Sequence, residues 1–547
     1  MRIMKSVWYA FIVALTIVSC KTVQVIKTPV PMGSEVAVVA TAKKVPLTEQ
    51  EKQSWNHADL VKDSIPGMSV DEAYEFLKDK KGTQVVVAVV DSGTDLEHED
   101  LKNVAWVNPK EVPNNGKDDD KNGFIDDVNG WNFLGAIYKE NAELYRIIKD
   151  STIADAETYQ RAKKDYDKKV SEAKVNKQRY EQILQAVNFA NTNITQKLNK
   201  KTYTKEDLKS IDASDPQMGR SVAIANQMFE LGLPSIQEAI DELTELIEEA
   251  KNTLSDDIFK KDYRSVLKND ENTMDVVVYG DNKTGHSEKD EAHGSHVSGI
   301  IAASRDNGVG MNGIATNVKI MAVRVVPDGD EYDKDVALGI RYAVDNGAKV
   351  INTSFGKGYS PKAQWVYDAI KYAAEKDVLI VNAAGNDAKD IDTNATYPTD
   401  APNMLNEISN NFLTIGAIAP NYNENLLANF TNYGKMNVDI YAPGVEIYST
   451  TPENEYKYFG GTSMASPATA GVAALIRSYY PQLSASQVKQ IIMNSGSKLD
   501  IEVIKPGSFS RENPQGVKVP FSELSVTGRI VNAYNALKMA HEMVYGK

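Results

Sequence analysis

The segment Gly461-Thr462-Ser463-Met464-Ala465-Ser466-Pro467 sets a serine among residues too small to shield it. An apolar stretch with helical spacing follows, from 468 to 479. Gly460, Gly461 and Ala465 let another backbone come close. Pro467 has no N–H, so it is predicted to occupy the first turn of that helix. A serine there lies at the positive end of the helix dipole, where developing negative charge is favoured. Taken alone, such a serine is more often a helix cap. As a nucleophile it would be weak, and it would need a base within hydrogen-bond reach. Three other segments carry polar residues in telling places. Residues 85–90 form a continuous apolar run that ends in Asp91-Ser92-Gly93. Residues 378–381 form another, followed by Asn382-Ala383-Ala384-Gly385-Asn386. Such runs fit strands buried on both faces of a parallel sheet. Sites in these sheets form at the carboxyl ends of strands, where Asp91 and Asn386 fall. The fourth segment is His293-Gly294-Ser295-His296-Val297-Ser298-Gly299. No Glu follows His293 in the arrangement of zinc peptidases, so His296 is read as structural.

Taken together, these four segments resemble the nucleophile, aspartate, oxyanion and histidine motifs of the subtilisin-like serine proteases. Ser295 stands where threonine is commoner. The chain order Asp, His, Ser is also that family's order. The resemblance spans about residues 82–134 and 275–540. It implies an α/β fold, a parallel sheet with helices on both faces. It implies a serine endopeptidase that hydrolyses peptide bonds in proteins through an acyl-enzyme. Ser463 would be the nucleophile and His293 the base that later protonates the leaving amine. Asp91 would hold the imidazole tautomer. Asn386 would donate to the oxyanion together with the Ser463 N–H. Ser354-Phe355-Gly356 resembles the segment that pairs with substrate backbone and walls the pocket for the side chain before the cut. Ala383, Ala384 and Gly385 would form the opposite wall. Small uncharged walls suit an apolar or aromatic side chain, and backbone pairing with an extended peptide implies broad specificity.

At 547 residues the chain exceeds one typical domain. Its 42% hydrophobic and 25% charged residues are ordinary for a globular protein. A net charge of −14 argues against a nucleic-acid partner and for a soluble, exported body. Cys20 is the one cysteine, so no intramolecular disulfide can form. Stability must come from elsewhere, and bound calcium is one source. Arg2 and Lys5 precede an apolar stretch, 7–18, that is too short to span a bilayer. Ile17-Val18-Ser19-Cys20 resembles the end of a bacterial lipoprotein signal, with residues 1–19 removed and a lipid on Cys20. That lipid would tether the enzyme to a membrane of the cell envelope, on its periplasmic face or at the cell surface. Residues 20–54 read as a tether or short pro-segment. Residues 55–134 read as the first part of the catalytic domain, opening with a helix at 69–77 capped by Ser69.

Asp91 and His293 lie 202 residues apart. Within that interval, Asp118, Asp120, Asn122 and Asp126 fall at positions 1, 3, 5 and 9 of an EF-hand-like loop. The twelfth position is Asn129 rather than Glu, so the loop is incomplete. Structural calcium and a solvated acidic turn are the two readings. From 135 to 274 the composition shifts to Lys, Glu, Gln, Ala and Tyr. Tyr159, Tyr166, Val170, Ala173, Tyr180, Leu184 and Val187 fall at intervals of seven, four and three. Ile236, Ile240, Leu243, Ile247, Ala250 and Leu254 alternate four and three. Both patterns are coiled-coil-like. Pro216, Gly219, Gly232 and Pro234 read as breakers between them. An antiparallel helical arm is expected, either packed on the protease surface or gating the cleft or docking a partner. In 275–547, strands at 318–326, 349–352 and 378–381 alternate with helices at 334–345 and 364–375. Helices at 487–493 and 530–543 close this second part of the catalytic domain. The competing class is a surface binding protein that uses the arm and has lost turnover. The presence of all four catalytic elements weighs against it.

Overall fold

The computed structural model describes residues 33–546 except 35, 268 and 511. Cys20 and the signal segment lie outside the described residues. Strands β1 (Val85–Asp91), β2 (Gly130–Asn132), β3 (Val318–Arg324), β4 (Val350–Thr353), β5 (Leu379–Ala383), β6 (Phe412–Ile418) and β7 (Ile440–Pro443) form the body of one sheet. A hairpin, β8 (Ile447–Thr451) and β9 (Glu455–Phe459), stands apart from it, as does the pair β11 (Glu502–Ile504) and β12 (Lys518–Pro520). The short strands β10 (Ser497–Lys498) and β13 (Arg529–Ile530) complete a nine-stranded sheet of order β10-β13-β7-β6-β5-β4-β1-β3-β2. All of its pairings are parallel except β10 with β13. The parallel α/β expectation therefore holds.

Alternation along the central strands explains the continuous apolar runs. Val87 and Val89 enter one core while Ala88 and Val90 enter the other; Ile320 and Ala322 likewise oppose Met321 and Val323. One core is covered by α8 (His293–Ala302), α11 (Thr462–Tyr479), α12 (Ala485–Ser495) and α13 (Ala533–Tyr545). The other is covered by α9 (Asp333–Asp345) and α10 (Ala363–Glu375). A side chain fully removed from water here contributes about 1.5–3 kcal/mol.

The segment before β1 is docked. Helix α1 (Glu49–Ser54) has a Thr48 capping box. Trp55 is 1% exposed, and its indole N–H reaches the Val445 carbonyl at 3.2 Å. Helix α2 (Val70–Leu77) starts one residue later than expected. Ser69 stands at its N-cap position, but its side chain makes no capping bond: the hydroxyl donates to Asp59 at 2.7 Å and accepts from Asn532 at 2.8 Å.

The insertion leaves and returns at one place. Asn132 and Asp281 form an antiparallel bridge at the edge strand β2. Between them lie α3 (Glu143–Lys149), α4 (Ala156–Leu198), α5 (Lys205–Leu208), α6 (Pro216–Glu230) and α7 (Ile236–Leu254). At 43 residues, α4 is about 64 Å long. Val187 and Ile194 on its far half pack with Ile236, Ala239 and Leu243 at the start of α7. Tyr166 on its near half lies 5.8 Å from Phe259, just beyond the end of α7. The two helices are therefore antiparallel. One expectation fails: Pro216 and Gly219 do not break the arm. Asp215 caps α6 through the Met218 N–H, and Pro216 sits at the helix start, where a missing N–H costs nothing. Ala225 and Met228 of this third long helix complete the arm core. No helix among the described residues is long and apolar enough to cross a membrane.

Candidate active site

Asp91 closes β1 and is fully buried. Its carboxylate accepts from the Ser92 N–H at 2.8 Å and meets His293 Nδ1 at 2.7 Å. His293 opens α8, which the Gly294 N–H ties back to Ser92 Oγ at 3.0 Å. A proton on Nδ1 toward Asp91 leaves Nε2 as the acceptor. Burial opposes the charged imidazole, but the Asp91 charge and hydrogen bond outweigh it. The His293 pKa is raised above its ordinary value.

Ser463 is the second residue of α11, which begins at Thr462 rather than near Ala468. Pro467 consequently lies inside the helix and not in its first turn. A proline there cannot donate to the carbonyl four residues earlier, which is that of Ser463. Ser354 Oγ supplies the missing donor at 2.9 Å. In return, Ser463 Oγ donates to the Ser354 carbonyl at 2.9 Å. The reciprocal pair locks the serine backbone to the end of β4. The Ser463 hydroxyl donates to Ser354 rather than to His293, so attack requires that bond to be given up. Catalytic hydrogen bonds often tighten only when substrate is bound.

Asn386 follows β5 by three residues. Its Oδ1 accepts from the Thr462 N–H at 2.9 Å and the Thr462 hydroxyl at 3.0 Å. A backbone N–H can only donate, so the amide orientation is settled and Nδ2 points the other way. A Cβ built on Gly461 would lie 3.4 Å from Asn386 Nδ2 and 3.5 Å from the Ser463 nitrogen. Two donors thus converge on a space that glycine leaves open, a geometry suited to an oxyanion. The predicted close backbone approach is present, since the Gly461 N–H reaches the Gly444 carbonyl at 2.7 Å.

The expected cleft walls are held tightly. Ser354 and Phe355 are 2% and 9% exposed. A Cβ on Gly356 would come within 3.0 Å of the Tyr397 carbonyl. Opposite, Gly385 has φ +98° and donates to Thr462 Oγ1 at 3.0 Å. Ala383 ends β5 at 5% exposure. Ala384 is fully buried in the core, with its N–H on the Ile415 carbonyl at 3.0 Å. Of the three residues expected there, Ala384 therefore offers the cleft no side chain.

His296 is structural, as expected. It donates from Nε2 to the Lys457 carbonyl at 3.0 Å and stacks on Phe459 at 4.3 Å. Burial pushes its pKa down to about 3.

Sequence reasoning missed a buried ion pair beside the site. Arg324, in register with Asp91, donates to Glu291 at 2.6 Å, and their side chains are 1% and 3% exposed. The same Glu291 oxygen accepts the Gly93 N–H at 2.9 Å, and the other accepts from Ser287 at 2.7 Å. The pair thereby joins the loop after Asp91 to the turn before His293. Arg324 also reaches the carbonyls of Gly135 and Ile137, where the insertion begins. An arginine within the apolar run 318–326 was the available signal, because a buried cation demands a partner.

In the acidic turn, Asp120 is the expected residue that joins a cluster of carboxylates able to hold a metal. The Asp118 carboxylate accepts the N–H groups of Asn122 and Gly123 at 3.0 and 2.8 Å. That of Asp126 holds Asn115 and Gly116 at 3.0 and 2.7 Å. Asn122 Oδ1 accepts from Phe124 at 2.7 Å, and its Nδ2 donates to Asp127 at 3.0 Å. Asp120 instead meets Glu111 and Asp127, with one oxygen of each lying within 4.8 Å of the others, an arrangement able to hold a metal. Glu111 Oε2 is buried without a hydrogen-bond partner. Burial raises the Asp127 pKa.

A buried carboxylate on an imidazole, a serine at a helix N-terminus and two nitrogens beside an open glycine are the groups that a serine-type hydrolase site requires. The subtilase family model matches residues 82–517. Subtilisin DY of Bacillus licheniformis is 37% identical over 209 residues, 38% of this chain and 71% of that protein. Thermitase of Thermoactinomyces vulgaris is 38% identical over 208 residues, 38% of this chain and 68% of that protein. The cell wall-associated protease of Bacillus subtilis is 37% identical over 219 residues, 40% of this chain but only 22% of that longer protein. The chain belongs to the subtilase family of serine proteases.

Proposed function

We propose that this protein is an endopeptidase that cleaves extended segments of protein substrates through Asp91, His293 and Ser463. One observation carries the reading: the Asp91–His293 bond of 2.7 Å, with Asp91 buried, stands at the same carboxyl end of the sheet as the gap between Asn386 Nδ2 and the Ser463 N–H. In this reading Ser463 Oγ attacks the scissile carbonyl and His293 Nε2 takes its proton. Asn386 and the Ser463 N–H bind the oxyanion, and His293 protonates the leaving amine. Water then repeats the sequence on the acyl-enzyme. Ser354, Phe355 and Gly356 form one wall for an apolar residue before the cut, with Ala383 and Gly385 opposite. Purified protein is expected to react with a fluorophosphonate, and Ser463→Ala is expected to abolish labelling. Labelling that survives in the variant would refute the assignment.

Calcium is assigned to Glu111, Asp120 and Asp127, whose hard, crowded oxygens suit it. At a free calcium concentration of about 100 Kd, binding stabilises the fold by about 2.7 kcal/mol. Chelation is thus expected to lower the Tm by about 2–3 °C. In Glu111→Gln the chelator should have no further effect. A wild-type Tm indifferent to chelator would remove calcium from this site.

An exported location on the bacterial envelope, lipid-anchored through Cys20, is supported by the signal-like N-terminus and by the wall-associated relative. Mass spectrometry of the mature N-terminus tests it.

A further inference from the structure

The helical insertion meets the catalytic domain directly behind one wall of the cleft. Residues 354–360 follow β4, and their first residue is locked to Ser463 in both directions. Three residues on, Lys357 turns away from the cleft and is 2% exposed. Its backbone pairs with Tyr397 on one side, at 2.9 and 3.0 Å. Its ammonium reaches Glu143 at 2.7 Å, Asp333 at 2.8 Å and the Glu331 carbonyl at 2.7 Å. Glu143 is the first residue of α3, so one of these anchors belongs to the insertion. Arg146 of the same helix donates to Glu143 and to the Glu331 carbonyl. A second attachment lies two residues further. Tyr359 packs with Leu144, Ile147 and Ala162 of the insertion. Its hydroxyl donates to Asp165 at 2.5 Å, and Arg161 lies 4.5 Å over its ring. The loop is thus gripped on one side by Tyr397 and Asp333 and on the other by α3 and the first turns of α4.

A lysine removed from water costs stability unless its anions are held in place. Burial opposes its charge, and Asp333 and Glu143 outweigh that. Moving α3 would take away one of the two carboxylates on Lys357 and leave it with Asp333 and the Glu331 carbonyl, so the loop would lose one of its two charged anchors. Interiors this dense transmit such displacements instead of absorbing them.

We propose that the insertion sets the shape of the substrate-backbone wall, with Lys357 and Tyr359 as positioning residues that transmit the seat of α3 and α4 to Ser354–Gly356. The inference rests on the proteolytic reading above and adds that the arm's base tunes peptide binding without entering the chemistry. Tyr359→Ala empties the apolar contact, and Lys357→Met removes the cation while keeping the stem. Each is compared with wild type by Tm, by the rate of fluorophosphonate labelling, and by kcat and KM on a peptide extending four residues before the scissile bond. Labelling needs the serine, its base His293 and the oxyanion donors but no contact to a peptide backbone, so it is expected to stay within about twofold. KM for the peptide is expected to rise about tenfold, with kcat changed less. Equal losses in labelling and peptide cleavage, or no change in either, would overturn the proposal. If Lys357→Met does not fold, Tyr359→Ala decides alone. A wild-type protein that does not label would sink the proteolytic reading, and this inference with it.

Discussion

Asp91→Asn is expected to lower kcat about 10⁴-fold while the fold survives. Asparagine fills the same volume, but its amide can donate to His293 Nδ1. The ring would then hold its proton on Nε2, the nitrogen that must accept from Ser463. The carboxylate that stabilises the imidazolium is lost as well. A pH shift accompanies the rate loss. Activity requires neutral His293, so kcat/KM rises with pH through the pKa of that group. In the wild type burial is outweighed by Asp91, and this limb lies above the ordinary value of 6.5. In the variant only burial remains, so the limb moves to lower pH. Steady-state rates between pH 5 and 9 with an unfolding curve read both effects. A variant with a wild-type pH profile would mean that Asp91 does not govern the base.

Asn386→Leu is expected to lower kcat about 10²–10³-fold with little change in KM; subtilisin is the source of that range, which is not a figure calculated for this chain. The Nδ2 donor faces a space with no Cβ and has its greatest value when the carbonyl oxygen carries charge. Leucine also removes the acceptor that holds the Thr462 N–H, so some loss is mispositioning. Asn386→Asp separates the two effects. It keeps an oxygen for Thr462 but turns a negative oxygen toward the oxyanion, so its kcat should be at least as low at unchanged Tm. If Asn386→Asp retained near-wild-type kcat, the hole would have to be built by other donors.

The same physics decides what could be read from the chain alone. Asp91 was legible because a strand buried on both faces must be continuously apolar, and a carboxylate ending such a run is conspicuous. The arm was legible because its spacing of three and four needs only local helical geometry. Its third long helix was not, because Pro216 breaks a helix or begins one depending on its cap, and Asp215 made it a beginning.

Pro467 marks the limit inside the site. The expectation that it must sit in the first turn counts only intrahelical donors. The donor that frees it from that rule is Ser354, 109 residues away from Ser463 in the chain. The acidic turn shows a related limit. Alternate spacing selects oxygens that are near in sequence, but Asp118 and Asp126 are satisfied by neighbouring N–H groups. Glu111 and Asp127 complete the cluster only once the turn has closed. Residue types and local periodicity were thus set by the sequence by itself: a triad in family order, a parallel sheet and a helical arm. Which carbonyl each serine meets, which carboxylates converge and where the arm grips the cleft wall were decided by tertiary structure. Each depends on a partner brought from a distant part of the chain, and burial makes that partner obligatory.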